Sequence, residues 1–310
     1  MMASNNSKNK ISANTLFTFE HFISTSVVRP LLSKYAQKTT ILTYHNIPSP
    51  TPEVELQADS VTVDEFECQM RFLRDNSFNV IPLQSLVSNL LERKKIDKKT
   101  VVITFDDGYK SNFSNAFPIL QKYKIPATVF LAVDYIGKNR SFSWLELPHN
   151  STCVEELSPM DWEDVTELCK AGIEIGSHAL SHKFMPKMKA EEIEKEILKS
   201  QTVIEDKIGE KPRAFAFPFS FPVFHWSWPL FKFIAIKALK KGDYTCCCTI
   251  LRGHINKRTN PFFLKRIVIG KFDDLKSFYA KLIGGYAWTR GPQLIFQTFA
   301  KKYNIRVPEE

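Results

Sequence analysis

No run of the 310-residue chain reaches the roughly 18 uninterrupted apolar residues that a membrane-spanning helix requires. The most apolar segment, residues 221–239, is broken by Pro222, His225, Pro229, Lys232 and Lys237. The polar, basic start, Met1 to Lys10, is not followed by an apolar stretch with a small-residue cleavage site, so a cleaved secretory leader is not expected. Cysteine is sparse, six in all, and three of the six are the consecutive Cys246-Cys247-Cys248. Consecutive residues of a strand alternate between its faces, so these three cannot readily pair with one another, and no Cys-x-x-Cys accompanies them to suggest a metal site. These absences predict a cytoplasmic protein in a reducing compartment, with room for contact at a membrane surface. The chain also has no internal repeat, no low-complexity segment and no nucleic-acid-binding motif. A net charge of +9 therefore points to ordinary solvated lysines or to an acidic partner, not to nucleic acid.

What is present is an alternation of short apolar strands with amphipathic helices. Strand patterns fall at residues 41–44, 80–81, 101–105, 127–132, 173–176 and 214–217. Helix patterns fall between them at 63–76, 83–92, 111–123, 159–171 and 190–208. Strand then helix, repeated, predicts parallel strands joined by right-handed crossovers, in an α/β protein built as a distorted or incomplete (β/α) barrel. The expected organisation is an N-terminal arm over 1–37, a barrel over 38–275, and amphipathic C-terminal helices over 276–310 with a break at Gly284-Gly285. Segments 46–62, 134–158 and 220–243 read as loops.

Three stretches carry chemistry. The apolar run Val101 to Phe105 ends in Asp106-Asp107-Gly108-Tyr109. Strand geometry sends adjacent side chains to opposite faces, so the two acids converge only if the chain turns, which Gly108 permits. An acidic turn capping the next helix is the plain alternative. Residues 173–177 then open into His178-Ala179-Leu180-Ser181-His182, where a single helical turn would put both imidazoles on one face. Two imidazoles and one carboxylate make the donor set of a hydrolytic zinc site. The third stretch, Ala214-Phe215-Ala216-Phe217-Pro218-Phe219-Ser220, reads alone as core.

In order and spacing the three together resemble the polysaccharide deacetylase family, carbohydrate esterase family 4, whose barrel is called the NodB homology domain. The match runs Thr-Phe-Asp-Asp-Gly, then Ser-His-x-x-x-His, then Phe-Ala-Phe-Pro-Phe-Ser where many members have Phe-Ala-Tyr-Pro-Tyr-Gly. The punctuating segments 42–47, 66–70, 125–130 and 264–267 agree, so the likeness spans roughly residues 40 to 275. The resemblance implies a hydrolase using zinc or another divalent transition metal to remove an N-acyl group, chiefly acetyl, from an amino sugar in a glycan or lipid-linked precursor. By the same resemblance Asp107, His178 and His182 hold the metal, Asp106 is the general base, and the Tyr109 amide faces the oxyanion. Phe217, Pro218 and Phe219 line the substrate groove.

Two departures stand out. The arginine that orients the base in many members is replaced at the aligned position by Ala216, and Arg266 is the candidate substitute from another strand. The late Leu-x-x-His motif that supplies the general acid is absent. His45, which ends an early strand, is the leading replacement, ahead of His225 and His254. These losses motivate an alternative, a catalytically silent barrel that binds carbohydrate or a membrane. A deformylase or amidase acting on a non-sugar would share the chemistry.

Overall fold

The computed structural model describes residues 23–28, 39–50, 56–97, 99–145, 154–219 and 228–286. Eight strands form one sheet: β1 (Thr40–Tyr44), β2 (Asn79–Val80), β3 (Thr100–Phe105), β4 (Ala127–Leu131), β5 (Glu174–Ser177), β6 (Ala214–Ala216), β7 (Cys246–Arg252) and β8 (Leu264–Val268). All pairings between these strands are parallel, and β1 pairs with both β8 and β3, which closes β1, β3, β4, β5, β6, β7 and β8 into a barrel with β2 attached to β3. The (β/α) barrel expected from the sequence is what forms.

The helices are α1 (Val63–Asp75), α2 (Leu83–Leu91), α3 (Phe117–Tyr123), α4 (Val154–Leu157), α5 (Trp162–Lys170), α6 (Ala190–Ile208), α7 (Trp228–Lys241) and α8 (Leu275–Ile283). Capping boxes start two of them, Thr62 with Glu65 on α1 and Asp161 with Asp164 on α5, so local chemistry fixes where the outer helices begin. The pattern over 111–123 resolves into a wide turn, residues 112–116, followed by α3, because Pro118 has no N–H to offer the preceding turn. Residues 220–243, expected as a loop, carry α7 from Trp228 onward. Apolar Leu230 and Phe233 stand on its outer face as well as Phe231, Ala235, Ala238 and Leu239 on its inner one, so the segment offers no clear helical period. Of the expected arm, only residues 23–28 are described. They lie near the end of α8, where the Ser24 carbonyl approaches Gly285. The Gly284 break ends α8 in a left-handed C-cap, and residues 287–310 lie outside the described structure.

Strand alternation divides the side chains into two sets. Outward residues such as Leu42, Tyr44, Ile103, Phe105, Val129, Leu131 and Ile175 pack under the helices in the main core. Inward residues Ile41, Val102, Phe130, Ala214, Ala216, Cys246, Cys248 and Leu264 form a second cluster with Leu83, Leu86, Val87 and Leu90 of α2, so α2 plugs the barrel's lower end. The cysteine triplet obeys this alternation: Cys247 packs with α6 and α7 residues, while its neighbours face inward, and all three are free thiols. Above this apolar layer the interior turns polar. Thr43 and Thr104 hydrogen-bond at 3.1 Å, and fully buried Arg266 lies over the Phe130 ring. That polar layer is the floor of the site.

Candidate metal centre and its acid–base groups

At the C-terminal ends of the strands the inward register delivers Asp106 from β3 and Arg266 from β8 to one point. Arg266 donates from Nη1 and Nη2 to the two carboxylate oxygens of Asp106, at 2.7 and 2.6 Å. Its Nε donates to the Thr249 carbonyl at 3.2 Å, which fixes the guanidinium plane. Burial alone would raise the Asp106 pKa, but Arg266, followed by His178, overcomes it and holds the carboxyl below the ordinary range. The arginine missing at position 216 is thus replaced in space by one from a different strand.

The turn that separates the acids begins one residue earlier than the sequence suggested. Asp107 itself has a φ of 71° and Gly108 follows at 89°. The left-handed φ of Gly108 would strain any other residue, and a Cβ there would also press on the side-chain ends of Ile136 and Leu131, so glycine is favoured. The turn points Asp107 toward the histidines, with its Oδ1 3.1 Å from His182 Nε2 and 3.4 Å from His178 Nε2. Asp107, His178 and His182 offer ligand atoms that all lie within 4.8 Å of one another.

The donor set fits a metal on three observations. The Asp107 Oδ1 atom is buried with no hydrogen-bond partner among the described residues, a costly state that a cation would relieve. His178 Nδ1 lies 2.8 Å from the Ala216 carbonyl, and a carbonyl only accepts, so Nδ1 carries the proton and Nε2 presents its lone pair to the cluster. Burial, outweighing the pull of Asp106, pushes the His178 pKa down to about 4, which keeps that imidazole neutral and ready to ligate at neutral pH.

The two histidines converge without the helical turn expected of them. Residues 178–182 form an irregular loop in which Ala179 and His182 take left-handed φ values of 66° and 50°. The spacing was right and its geometric cause was different.

His45 follows β1, whose Tyr44 pairs with Phe105, so His45 stands beside Asp106 at the same end of the barrel. Its Nδ1 is 3.6 Å from Asp59 Oδ2. Burial lowers its pKa, but Asp59, then Asp107 and Asp106, raise it above the ordinary histidine value overall. His254 lies at the opposite end, bonded through Nδ1 to Thr40 at the start of β1, which removes it as an acid candidate. His225 falls outside the described residues.

Of the expected groove residues, half-buried Phe219 stands by the centre with its ring centroid 4.8 Å from that of His182, and Pro218 is buried next to it. Phe217 does not line the groove. It is 2% exposed and packs against Phe215 and Phe231, because the strand register turns it into the outer core. The Tyr109 side chain is likewise buried, and its hydroxyl accepts from Trp144 Nε1 at 3.2 Å. Tyr109 is bridged to Pro159, but the flanking bonds are made by Lys110 and Met160 amides, so its own N–H takes neither. Sequence reasoning missed Trp144, whose ring sits 4.3 Å from that of His182, and Asp59, the partner of His45. The aromatic spacing Phe142-x-Trp144 was the available signal for the first.

Comparison with known proteins agrees with this geometry. Over 183 residues the chain is 29% identical to YxkH of Bacillus subtilis strain 168, covering 58% of this chain and 56% of that one. Over 257 residues it is 25% identical to a poly-beta-1,6-N-acetyl-D-glucosamine N-deacetylase of Staphylococcus epidermidis, covering 76% and 81%. The fold matches IcaB from Ammonifex degensii with a TM-score of 0.62 at 20% identity, over 82% of this chain and 97% of that one. It matches the deacetylase PplD of Streptococcus pyogenes with a TM-score of 0.61, also at 20% identity, over 76% and 93%. Residues 93–222, which hold both acids, both histidines and the Phe-Ala-Phe-Pro run, match the family model of polysaccharide deacetylase.

Proposed function

We propose that the protein is a metal-dependent hydrolase that removes the N-acetyl group from an amino sugar within a glycan. The observation that carries this reading is the division of labour between adjacent acids: Asp106 is locked in a two-pronged ion pair with Arg266, while Asp107 faces two imidazoles with an unsatisfied oxygen. The named activity of the staphylococcal relatives supports the glycan class, and β-1,6-linked N-acetylglucosamine is the first substrate to try.

Zinc, or another divalent transition ion, is the group that suits one carboxylate and two imidazoles, and it supplies Lewis acidity toward water and the amide carbonyl. Asp107, His178 and His182 hold it. Asp106, kept ionised by Arg266, takes the proton of the attacking water. The Tyr109 N–H, which makes neither of the bonds that flank its bridge to Pro159, is the backbone donor assigned to the oxyanion. His45, whose raised pKa favours the protonated form, gives a proton to the departing amine. Trp144 and Phe219 flank His182 and offer apolar faces to a sugar ring.

The test is acetate release from β-1,6- and β-1,4-linked N-acetylglucosamine oligomers, paired with elemental analysis of the protein. Asp106→Asn should retain metal and lose about a hundredfold to ten-thousandfold in rate, whereas Asp107→Asn or the double replacement of His178 and His182 by Ala should lose metal. Full metal content without acetate from any oligomer would favour the catalytically silent barrel instead.

Lipid-linked substrate and contact with a membrane form a finer part of the proposal, supported by α7. Its outer face exposes Leu230 and Phe233, 62% and 66% accessible, among Lys232, Lys237 and Lys240, and no acidic residue occurs between 228 and 241.

A further inference from the structure

The two histidines are not held alike. His178 is fixed by its own ring, through the Nδ1 bond to Ala216. His182 has no such anchor, since its Nδ1 is buried without a hydrogen-bond partner among the described residues. Its side chain touches Trp144 and Phe219, but those are ring contacts that leave the backbone free. The loop that carries it contains two left-handed non-glycine residues, Ala179 and His182, and each such conformation costs on the order of 1 kcal/mol or more. Such a loop does not persist unless its surroundings impose it.

Two clamps grip it. On one side the amides of Val133 and Asp134, just past β4, donate to the carbonyls of Ala179 and Leu180 at 3.2 and 2.8 Å. On the other, Glu196 reaches over from α6. Its Oε2 accepts from the consecutive amides of Leu180 and Ser181 at 2.9 and 2.8 Å, and its Oε1 accepts from the Ser181 hydroxyl at 2.6 Å. Glu196 occupies the buried face of α6 with Ile193, Ile197, Ser200 and Ile204, a stripe where an isolated carboxylate would be strongly unfavourable. Three charge-assisted hydrogen bonds offset that burial, and all three go to the two residues that precede His182.

We infer that Glu196 is the positioning residue of the metal centre: by clasping the Leu180 and Ser181 peptides it holds His182 Nε2 3.1 Å from Asp107 Oδ1, where both atoms can reach one ion. The inference rests on the reading of Asp107, His178 and His182 as metal ligands. It predicts that Glu196→Ala weakens the affinity for Zn²⁺ by about tenfold to a hundredfold, the range for outer-shell partners of metal ligands. Glu196→Gln should recover most of it, because its amide oxygen can still accept both backbone N–H groups and its NH₂ can donate to the Ser181 hydroxyl. A merely structural glutamate would change the melting temperature of the metal-free protein and leave Zn²⁺ affinity, measured on the folded fraction by chelator competition, where it was.

The experiment compares Zn²⁺ affinity in the full-length wild type, Glu196→Ala, Glu196→Gln and His182→Ala, with amide hydrogen exchange of Leu180 and Ser181 in the metal-free wild type. The expected result is tight wild-type binding, loss in His182→Ala, weakening in Glu196→Ala, recovery in Glu196→Gln, and slow exchange at both amides. Wild-type affinity in Glu196→Ala would overturn the inference while leaving the metal centre standing. Failure of the wild type to bind, or binding unchanged by His182→Ala, would instead bring down the reading on which it rests. If Glu196→Ala does not fold, the exchange measurement decides: amides at 180 and 181 that exchange as fast as open loop amides would overturn the clasp.

Discussion

Asp106 is a buried carboxylate whose ionisation depends on one neighbour. Removing the guanidinium with Arg266→Met leaves the burial in place and takes away the largest downward pull, so the Asp106 pKa should rise. A base must be ionised to act, so the acid limb of the kcat/KM profile should move to higher pH, and the rate deficit should be greater at pH 6 than at pH 9. Metal content should not change, because Arg266 bonds to Asp106 and not to the Asp107, His178 and His182 set. An acid limb that stays in place would remove Arg266 from the control of the base. The Asp-Asp-Gly and His-x-x-x-His motifs were legible in the sequence because they are local. Arg266 could be named there only as a substitute, since its pairing with Asp106 spans 160 positions and depends on barrel closure. Phe217 was misplaced because the sequence does not show on which side of β6 the strand register begins. Glu196 carried no signal at all, being one glutamate among several on a charged helix.

At the scale of elements, barrel closure depends on what fits inside. Gly176 of β5 faces inward, and a Cβ there would lie 2.4 Å from the Phe130 ring and 3.0 Å from the Ala214 carbonyl. Phe130 is fully buried beneath Arg266 and has nowhere to swing. Gly176→Ala should therefore cost about 1–3 kcal/mol by overpacking, read as a lower urea midpoint, and Phe130→Leu in the same chain should restore part of the loss. An unchanged midpoint would mean that the interior is looser than its geometry implies. The strands that the sequence displayed best were those with uninterrupted apolar runs, such as β3 and β4. β8 was harder to read, because Lys265 and Arg266 make it look polar although Arg266 faces the interior. The His178–His182 loop was read as a helical turn because i, i+4 spacing fits one, and nothing in alanine or histidine advertises a left-handed backbone.

For the whole molecule, the question is what a charge of +9 meets. The barrel surface mixes both signs, and many lysines are spent locally, as in the pairs of Lys110 with Asp164 and Lys122 with Glu67. α7 differs. Among the described residues its one acidic contact is Lys241 with Glu194 at the far end, while Lys237 and Lys240 sit on the same exposed side as Phe233 and Leu230. The helix follows β6, whose upper end carries Pro218 and Phe219 to the metal centre. An apolar pair ringed by cations is the pattern of a helix that rests on an anionic bilayer, where each lysine near the surface contributes about 1 kcal/mol. The protein should co-sediment with phosphatidylglycerol vesicles at low salt and not with phosphatidylcholine vesicles. Leu230→Ser with Phe233→Ser should reduce binding at all salt concentrations, because it removes buried apolar area. Lys237→Gln with Lys240→Gln should reduce it chiefly at low salt, because exposed charges are screened beyond about 10 Å at 0.1 M. Neither pair touches the metal ligands, so acetate release from a short soluble oligomer should stay at the wild-type rate in both. Equal sedimentation of all variants, or none by the wild type, would leave α7 as an ordinary outer wall of the barrel and the soluble glycan as the substrate.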